Sequence, residues 1–320
     1  MLNRIFIIYI CLVSFILSKE IHIKEITLQG LITNPKQEIS GMDWYKDYLF
    51  LLPENLGGFL FMIPKNQIQN AIDSRNAAPL QPQKTDFITP NYSISIPGFD
   101  GLEAIAFFNN NVLISIEAEH KGTMSGYVAW GSFDPKTLQI IIPEENIKKI
   151  NTPSQIDNMS FESILVNNNE AIMIYEANGA NIQKKVTQPV LSLSDFTLRK
   201  IRAPNIEYRI TDVTKISKNK FWAINYYWSG DKKKLIPAED KISKKYPKKE
   251  SHRKVETVER LIEFEIKKDK IRLSKNAPIQ LYLENGAARN WEAICRFNKN
   301  GFLIATDKYP RMILGYIKVP

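Results

Sequence analysis

The chain of 320 residues predicts an all-β fold, a β-propeller of five blades, on three observations. Five times an acidic residue beside an apolar run is answered, 11 to 15 residues later, by a second polar residue. Four of these stretches carry turn residues at their midpoint, between runs rich in β-branched and aromatic side chains, which is the signature of a hairpin. The leading acids are spaced by 60, 59, 50 and 80 residues, too long for a solenoid repeat but suited to a large blade.

The leading acids are Asp43, Glu103, Glu162, Asp212 and Glu292, and the answering residues are Glu54, Glu117, Glu176, Asn225 and Asp307. Glu119 shares the strand parity of Glu117 and is its alternative. The turns fall at Asn109–Asn111, Asn167–Asn169, Lys218–Asn219 and Asn298–Gly301. A central turn returns the second strand to the level of its start, so each pair is expected to face across the mouth of its hairpin, with opposed residues about 5 Å apart. The hairpin strands are apolar on both faces, as inner strands packed between neighbouring sheets should be.

Between hairpins lie about two further strand-like runs each. They are FLFMIP and YSISIP, GYVAWGSFD and LQIIIPE, VLSLS and LRKIRAP, and RLIEFEI and IQLYLE. After the last hairpin only MILGYIKVP remains, so IHIKEITLQG (21–30) is expected to supply the missing strand and close the ring. Six blades is the alternative, with IRLSK (271–275) in a separate small sheet. Residues 65–90, polar with several prolines, read as a loop excursion.

In such a ring the leading acids surround the central channel at one end. Bare like charges at reduced dielectric repel, so protons, cations or basic groups must neutralise them. Carboxylate and amide oxygens suit Ca²⁺ best, then Mg²⁺ or Mn²⁺. Zinc fits poorly, because the three histidines, His22, His120 and His252, have no ligand spacing. The plainer alternative is that these acids cap turns or accept backbone hydrogen bonds between blades.

Residues 1–18 have a signal-peptide profile, with Arg4 followed by an apolar stretch from Ile5 to Leu17, too short for a comfortable membrane span. The remainder, 19–320, is expected to be one propeller domain in an exported protein, periplasmic or secreted and monomeric, without a stable membrane span once the leader is removed. An uncleaved anchor is the alternative. Cleavage leaves one cysteine, Cys295, within WEAICRF, read as a buried strand residue. The net charge of +9 is concentrated in a lysine-rich segment at 231–254, expected to be a surface insertion between blades. It lacks the interleaved aromatics of a nucleic-acid site, so no nucleic-acid partner is expected.

No GxSxG, GxxxxGK[ST], GxGxxG, CxxC or HExxH motif is present. What remains is the acidic channel mouth with aromatics near it, including Trp44, Trp222, Tyr226, Tyr227, Trp228, Trp291 and Tyr309.

The series SGMDW, GLEAIAF with ISIEAE, FESILV with YEANG, ITDVT, and NWEAI with ATDKYP resembles the bacterial phytase-like family, also described as having esterase-like activity of phytase. The match runs from about Ser40 to Pro310. Where that family places glycine after glutamate this chain has Ala104, Ser163 and Ala293, which keep close backbone packing but not a bare-glycine ligand approach. The resemblance implies a propeller that hydrolyses phosphoesters or esters with a metal. Glu103, Glu162 and Glu292 would then be catalytic. Asp43, Glu103, Glu117, Glu162, Glu176, Asp212, Glu292 and Asp307 would hold Ca²⁺. Arg289, Lys308 and Asn225 would bind an anionic small-molecule substrate. The competing reading is a non-catalytic propeller binding a ligand or partner protein, with structural acids. A lactonase-like enzyme with one metal and Asn225 among its ligands is a third.

Overall fold

A computed structural model describes residues 20–319, so the leader expected at 1–18 lies outside the described residues. A short strand, β1 (Lys24–Ile26), opens the described chain. The first blade is β2 (Ile39–Tyr45), β3 (Tyr48–Pro53), β4 (Phe59–Pro64) and β5 (Gln83–Ile88). The second is β6 (Phe99–Phe108), β7 (Asn111–His120), β8 (Thr123–Asp134) and β9 (Gln139–Ile141), with β10 (Ile147–Asn151) also paired to β8. The third is β11 (Phe161–Asn167), β12 (Glu170–Tyr175), β13 (Thr187–Ser192) and β14 (Leu198–Arg202). The fourth is β15 (Arg209–Ser217), β16 (Lys220–Tyr227), β17 (Val258–Ile266) and β18 (Ile271–Leu273), with β19 (Ile279–Gln280) also on β17. The fifth is β20 (Trp291–Asn298), β21 (Gly301–Thr306) and β22 (Leu314–Lys318), completed by β1.

Five strands, β2, β6, β11, β15 and β20, pack against one another in cyclic order, and this closes a five-bladed propeller. Strand alternation explains why the blades stack. In β3, Leu49 and Leu51 face the fifth blade beside Cys295 and Leu303, while Phe50 and Leu52 face the second beside Ile105 and Ile114. The same two-sided burial recurs between blades two and three (Leu113 with Met173), three and four (Ile172 with Phe221), and four and five (Ile224 with Ile304). Each core layer is thus an interface between consecutive blades. Inner strands approach closely at small residues. A Cβ on Gly41 would sit 3.1 Å from the Cα of Ala104, so a larger side chain at either position would push β2 and β6 apart.

Several expectations for the outer strands are corrected. YSISIP is not a strand: Tyr92–Ser95 form a short helix, and the fourth strand of blade one is β5, from within the expected 65–90 loop. That stretch also holds a helix, α1 (Lys65–Asp73), whose Ile68 and Ala71 are buried. The outer strands of the first two blades join in parallel, Phe87 with Ile140 and Ile88 with Ile141, which covers both edges. IRLSK pairs with β17 inside blade four, which removes the sixth blade. The lysine-rich segment is inserted within blade four, between β16 and β17, rather than between blades. It folds into two short helices, Lys232–Leu235 and Lys241–Lys245, anchored by Arg260, which bonds Asp240 at 2.8 Å. Among the described residues no helix is long and apolar enough to cross a membrane.

Candidate functional site

One rung is repeated in all five hairpins. The Glu54 amide donates to the Glu38 carbonyl, Gly101 pairs with Glu117, the Glu176 amide donates to Ser160, Arg209 pairs with Tyr226, and the Asp307 amide donates to Asn290. Two residues after each first member the strand bulges, at Ser40, Glu103, Glu162, Thr211 and Glu292. A bulge re-aims its side chain, and these five positions surround the axis. The paired acids are therefore not directly opposed as expected. Glu117 faces Gly101 across its hairpin, and Glu103 stands two residues further on.

This register corrects two blades. The ring positions there belong to Ser40 and Thr211, not to Asp43 and Asp212. Both hydroxyls donate to the carbonyl of a neighbouring inner strand, Ser40 to Leu102 and Thr211 to Trp291 at 2.6 Å. Asp43 accepts the amides of Trp44 and, across the blade gap, Phe107 at 2.7 Å. Asp212 accepts those of Val213 and, likewise, Ile294 at 2.7 Å. Burial lifts the Asp43 carboxyl to about 6 and Asp212 well above the usual range, against the pull of these amides. Both acids staple blades together and neither lines the cavity.

The cavity has a volume of about 950 Å³ and receives side chains from all five blades, Ser40, Glu103, Glu162, Arg209 and Glu292 among them. Eight carboxyl groups line it, including Glu38, Glu54, Glu117, Asp231 and Asp307, against two cations, Arg209 and Lys308. Trp228 and Tyr309, both more than half exposed, stand at its rim, and the inserted segment of blade four contributes Ser229 and Asp231. Lys308 bonds Glu38 at 3.0 Å. Arg209 is paired with Glu176 behind the wall, lies 3.5 Å from Glu292, and stacks 5.8 Å over the Tyr226 ring. Asn290 donates to Asp307 at 2.9 Å.

Two cations do not balance this wall. Burial, then the charges of Glu117, Glu54 and Glu292, holds the Glu103 carboxyl well above its ordinary value. Glu162 is raised in the same way by burial and by Glu103 and Glu176. Burial lifts Glu54 and Glu117 to about 8, helped by Glu38 for the first and Glu176 for the second. Glu292 reaches about 8 although Arg209 pulls it down, and Glu176 is raised against the same pull. Burial works against the charge of Arg209, yet Glu176 and Glu292 keep it protonated. One oxygen each of Glu117, Glu176 and Glu292 is buried without a hydrogen-bond partner among the described residues.

The expected substrate-binding residues separate. Lys308 reaches the cavity. Arg289 does not: it is buried with both arms on Glu259, at 2.6 Å from Nη2, and on the Tyr282 carbonyl. Asn225 is fully buried, donates to the carbonyls of Glu207 and Arg209, and accepts from Arg260 at 2.7 Å. Its place on the rung is taken by the next residue, Tyr226. Cys295 is buried between blades one and five, as read from the sequence. Arg209, Glu38 and Asp231 also line the cavity and lie outside the acid pairs of the sequence. The signal for Arg209 is its offset, two residues before the bulge, as Asn290 precedes Glu292.

The wall offers a cation a set of carboxyl oxygen donors. The donors are hard oxygens, several without partners, which fits Ca²⁺. Among the described residues no group of three or more His, Cys, Asp or Glu side chains is arranged to hold a metal ion.

No family model and no curated protein matches the chain. Solved structures similar to it include a glycosyl hydrolase from Bacteroides ovatus, 9% identical, covering 92% of this chain and 94% of that one, with a TM-score of 0.47. An alpha-L-arabinanase mutant of Cellvibrio cellulosa is 10% identical over 87% and 90%, with a TM-score of 0.47. A luciferin-regenerating enzyme is 8% identical over 89% and 92%, with a TM-score of 0.42. At these values the likenesses assign neither a residue role nor an activity to this chain.

Proposed function

We propose that the axial cavity binds a divalent cation, Ca²⁺ best, and that the chain is an exported propeller of phytase-like type that hydrolyses a phosphoester or ester held there. The observation that carries this reading is the imbalance of eight lining carboxyl groups against Arg209 and Lys308. Buried carboxylates without a counter-charge are costly, and the unpartnered oxygen of Glu117 is a ready donor. A bound divalent cation would neutralise the wall, hold a phosphate or carbonyl oxygen, and acidify water.

The chain's own residues divide the remaining work. Glu103 and Glu162, whose proton affinity is raised by burial and by the neighbouring carboxylates, accept or return a proton. Of the two cations lining the cavity among the described residues, Lys308, about a third exposed, is the one that can swing from Glu38 toward an anionic group. Trp228 and Tyr309 offer flat rim surfaces for an apolar portion. An anionic substrate entering the cation-free cavity meets net negative charge, so hydrolysis should depend completely on the cation.

Hydrolysis of phytate, p-nitrophenyl phosphate and p-nitrophenyl acetate is measured with Ca²⁺ and with EDTA. Turnover with Ca²⁺ that chelation abolishes is expected. No turnover in either condition ends the hydrolase reading. If Ca²⁺ then still raises the unfolding temperature, the protein is a cation-stabilised binding propeller without catalysis.

A further inference from the structure

We infer that the cavity is divided into two halves: Arg209 is a tethered cation serving the half lined by Glu292, with Glu176 behind it, and Glu54, Glu103 and Glu117 around Gly101 form a separate site for one free divalent cation. The inference rests on the cation-binding reading above and goes further by locating the ion.

The five rung positions explain the division. They hold Glu38, Gly101, Ser160, Arg209 and Asn290. At the fourth, the arginine reaches Glu176 and Glu292 from its own strand, and Asn290 occupies Asp307 on the same side. That half carries its counter-charge in the sequence. At the second position there is no side chain. A Cβ on Gly101 would fall 2.6 Å from Glu54 Cγ, 2.7 Å from Glu103 Oε1 and 3.0 Å from Glu54 Oε1. Two carboxylates therefore occupy the space that any other residue would fill.

Glu117, the strand partner of Gly101, adds the third carboxylate. It is 3% exposed, and its Oε2 has no partner among the described residues. Lys308, the lysine that lines the cavity, is engaged with Glu38. Three carboxylates with water completing the shell suit a hard cation that tolerates irregular coordination, which favours Ca²⁺ over Mg²⁺. Among the described residues no three such side chains are arranged to hold an ion, so occupancy of this site would require the three carboxylates to rotate toward a common point.

The test is calorimetric titration of the whole chain with CaCl₂ at pH 8. Native protein should bind one ion. Glu117→Gln should weaken that binding at least tenfold. Arg209→Met should bind a second ion, because Glu176 and Glu292 lose their tethered cation, while Arg209→Lys should stay at one. If native protein binds no ion, the cation-binding reading and this inference fall together. If it binds one but Glu117→Gln leaves affinity unchanged, or folded Arg209→Met gains no second ion, the division is wrong and the cation-binding reading stands. Should Arg209→Met fail to fold, Glu117→Gln and Arg209→Lys decide.

Discussion

Cation-free protein should lose stability as pH rises from 6.5 to 8, the reverse of a protein held together by paired carboxylates. Glu54, Glu117 and Glu292 titrate near 8 in the folded chain, against an ordinary value of 4.5. Between those values the native state holds protons that the unfolded chain has released, so the free energy of unfolding falls with pH. One such group gives a slope of about 1.4 kcal/mol per pH unit, and by pH 7 has removed about 3 kcal/mol. Against a typical total of about 5–15 kcal/mol this is a large fraction. His252 acts oppositely below its ordinary value of 6.5. Burial lowers its affinity for a proton despite Glu20, so stability rises with pH there, and the clean window begins at 6.5. The carboxyls lowered by partners, such as Asp240 on Arg260, are fully ionised across this window and add no slope. The assay is urea unfolding with EDTA at half-unit pH steps. A flat or rising stability from 6.5 to 8 would refute the reasoning. Saturating Ca²⁺ should flatten or invert the slope, because it favours the ionised carboxylates.

Two further outcomes separate a structural acid and a structural base from the cavity, and a third weighs one inter-blade hydroxyl bond. Asp212→Ala strips two buried amides, Val213 and Ile294, of their acceptor and should cost about 2–4 kcal/mol in urea unfolding, with Ca²⁺ affinity unchanged in calorimetry. Arg289→Met leaves Glu259 buried without its cation and should cost about 3–5 kcal/mol, again without effect on Ca²⁺ binding. Thr211→Val removes the bond to the Trp291 carbonyl and should cost about 1–2 kcal/mol by thermal or urea unfolding.

Much of the architecture was readable from spacing. The hairpins of Glu103, Glu162 and Glu292 carry an acid on the bulge and another on the answering strand, so two landmarks agree in each. Blades one and four lack the first landmark. A hydroxyl stands there, and the next acids along the chain, Asp43 and Asp212, lie three and one residues further on. Aligning acids with acids therefore misplaces both blades and makes ring members of two inter-blade staples. The bulges themselves leave no residue-type signature, which is why opposed pairs were expected where the rungs are offset. β5 was hidden because QKTDFI alternates charge with apolar residues at a polar, proline-flanked edge, whereas YSISIP has strand-like composition but forms one helical turn. The role of Asn225 depended on Arg260, a residue on the following strand that no spacing argument links to it.

The most direct measurement is a crystal of the whole chain grown with Mn²⁺ and recorded at the manganese absorption edge. The account predicts an anomalous peak on the propeller axis side of Gly101, bonded by oxygens of Glu54, Glu103 and Glu117, with Arg209 still on Glu176. A well-ordered cavity without a peak, or manganese bound only at surface carboxylates, would contradict it.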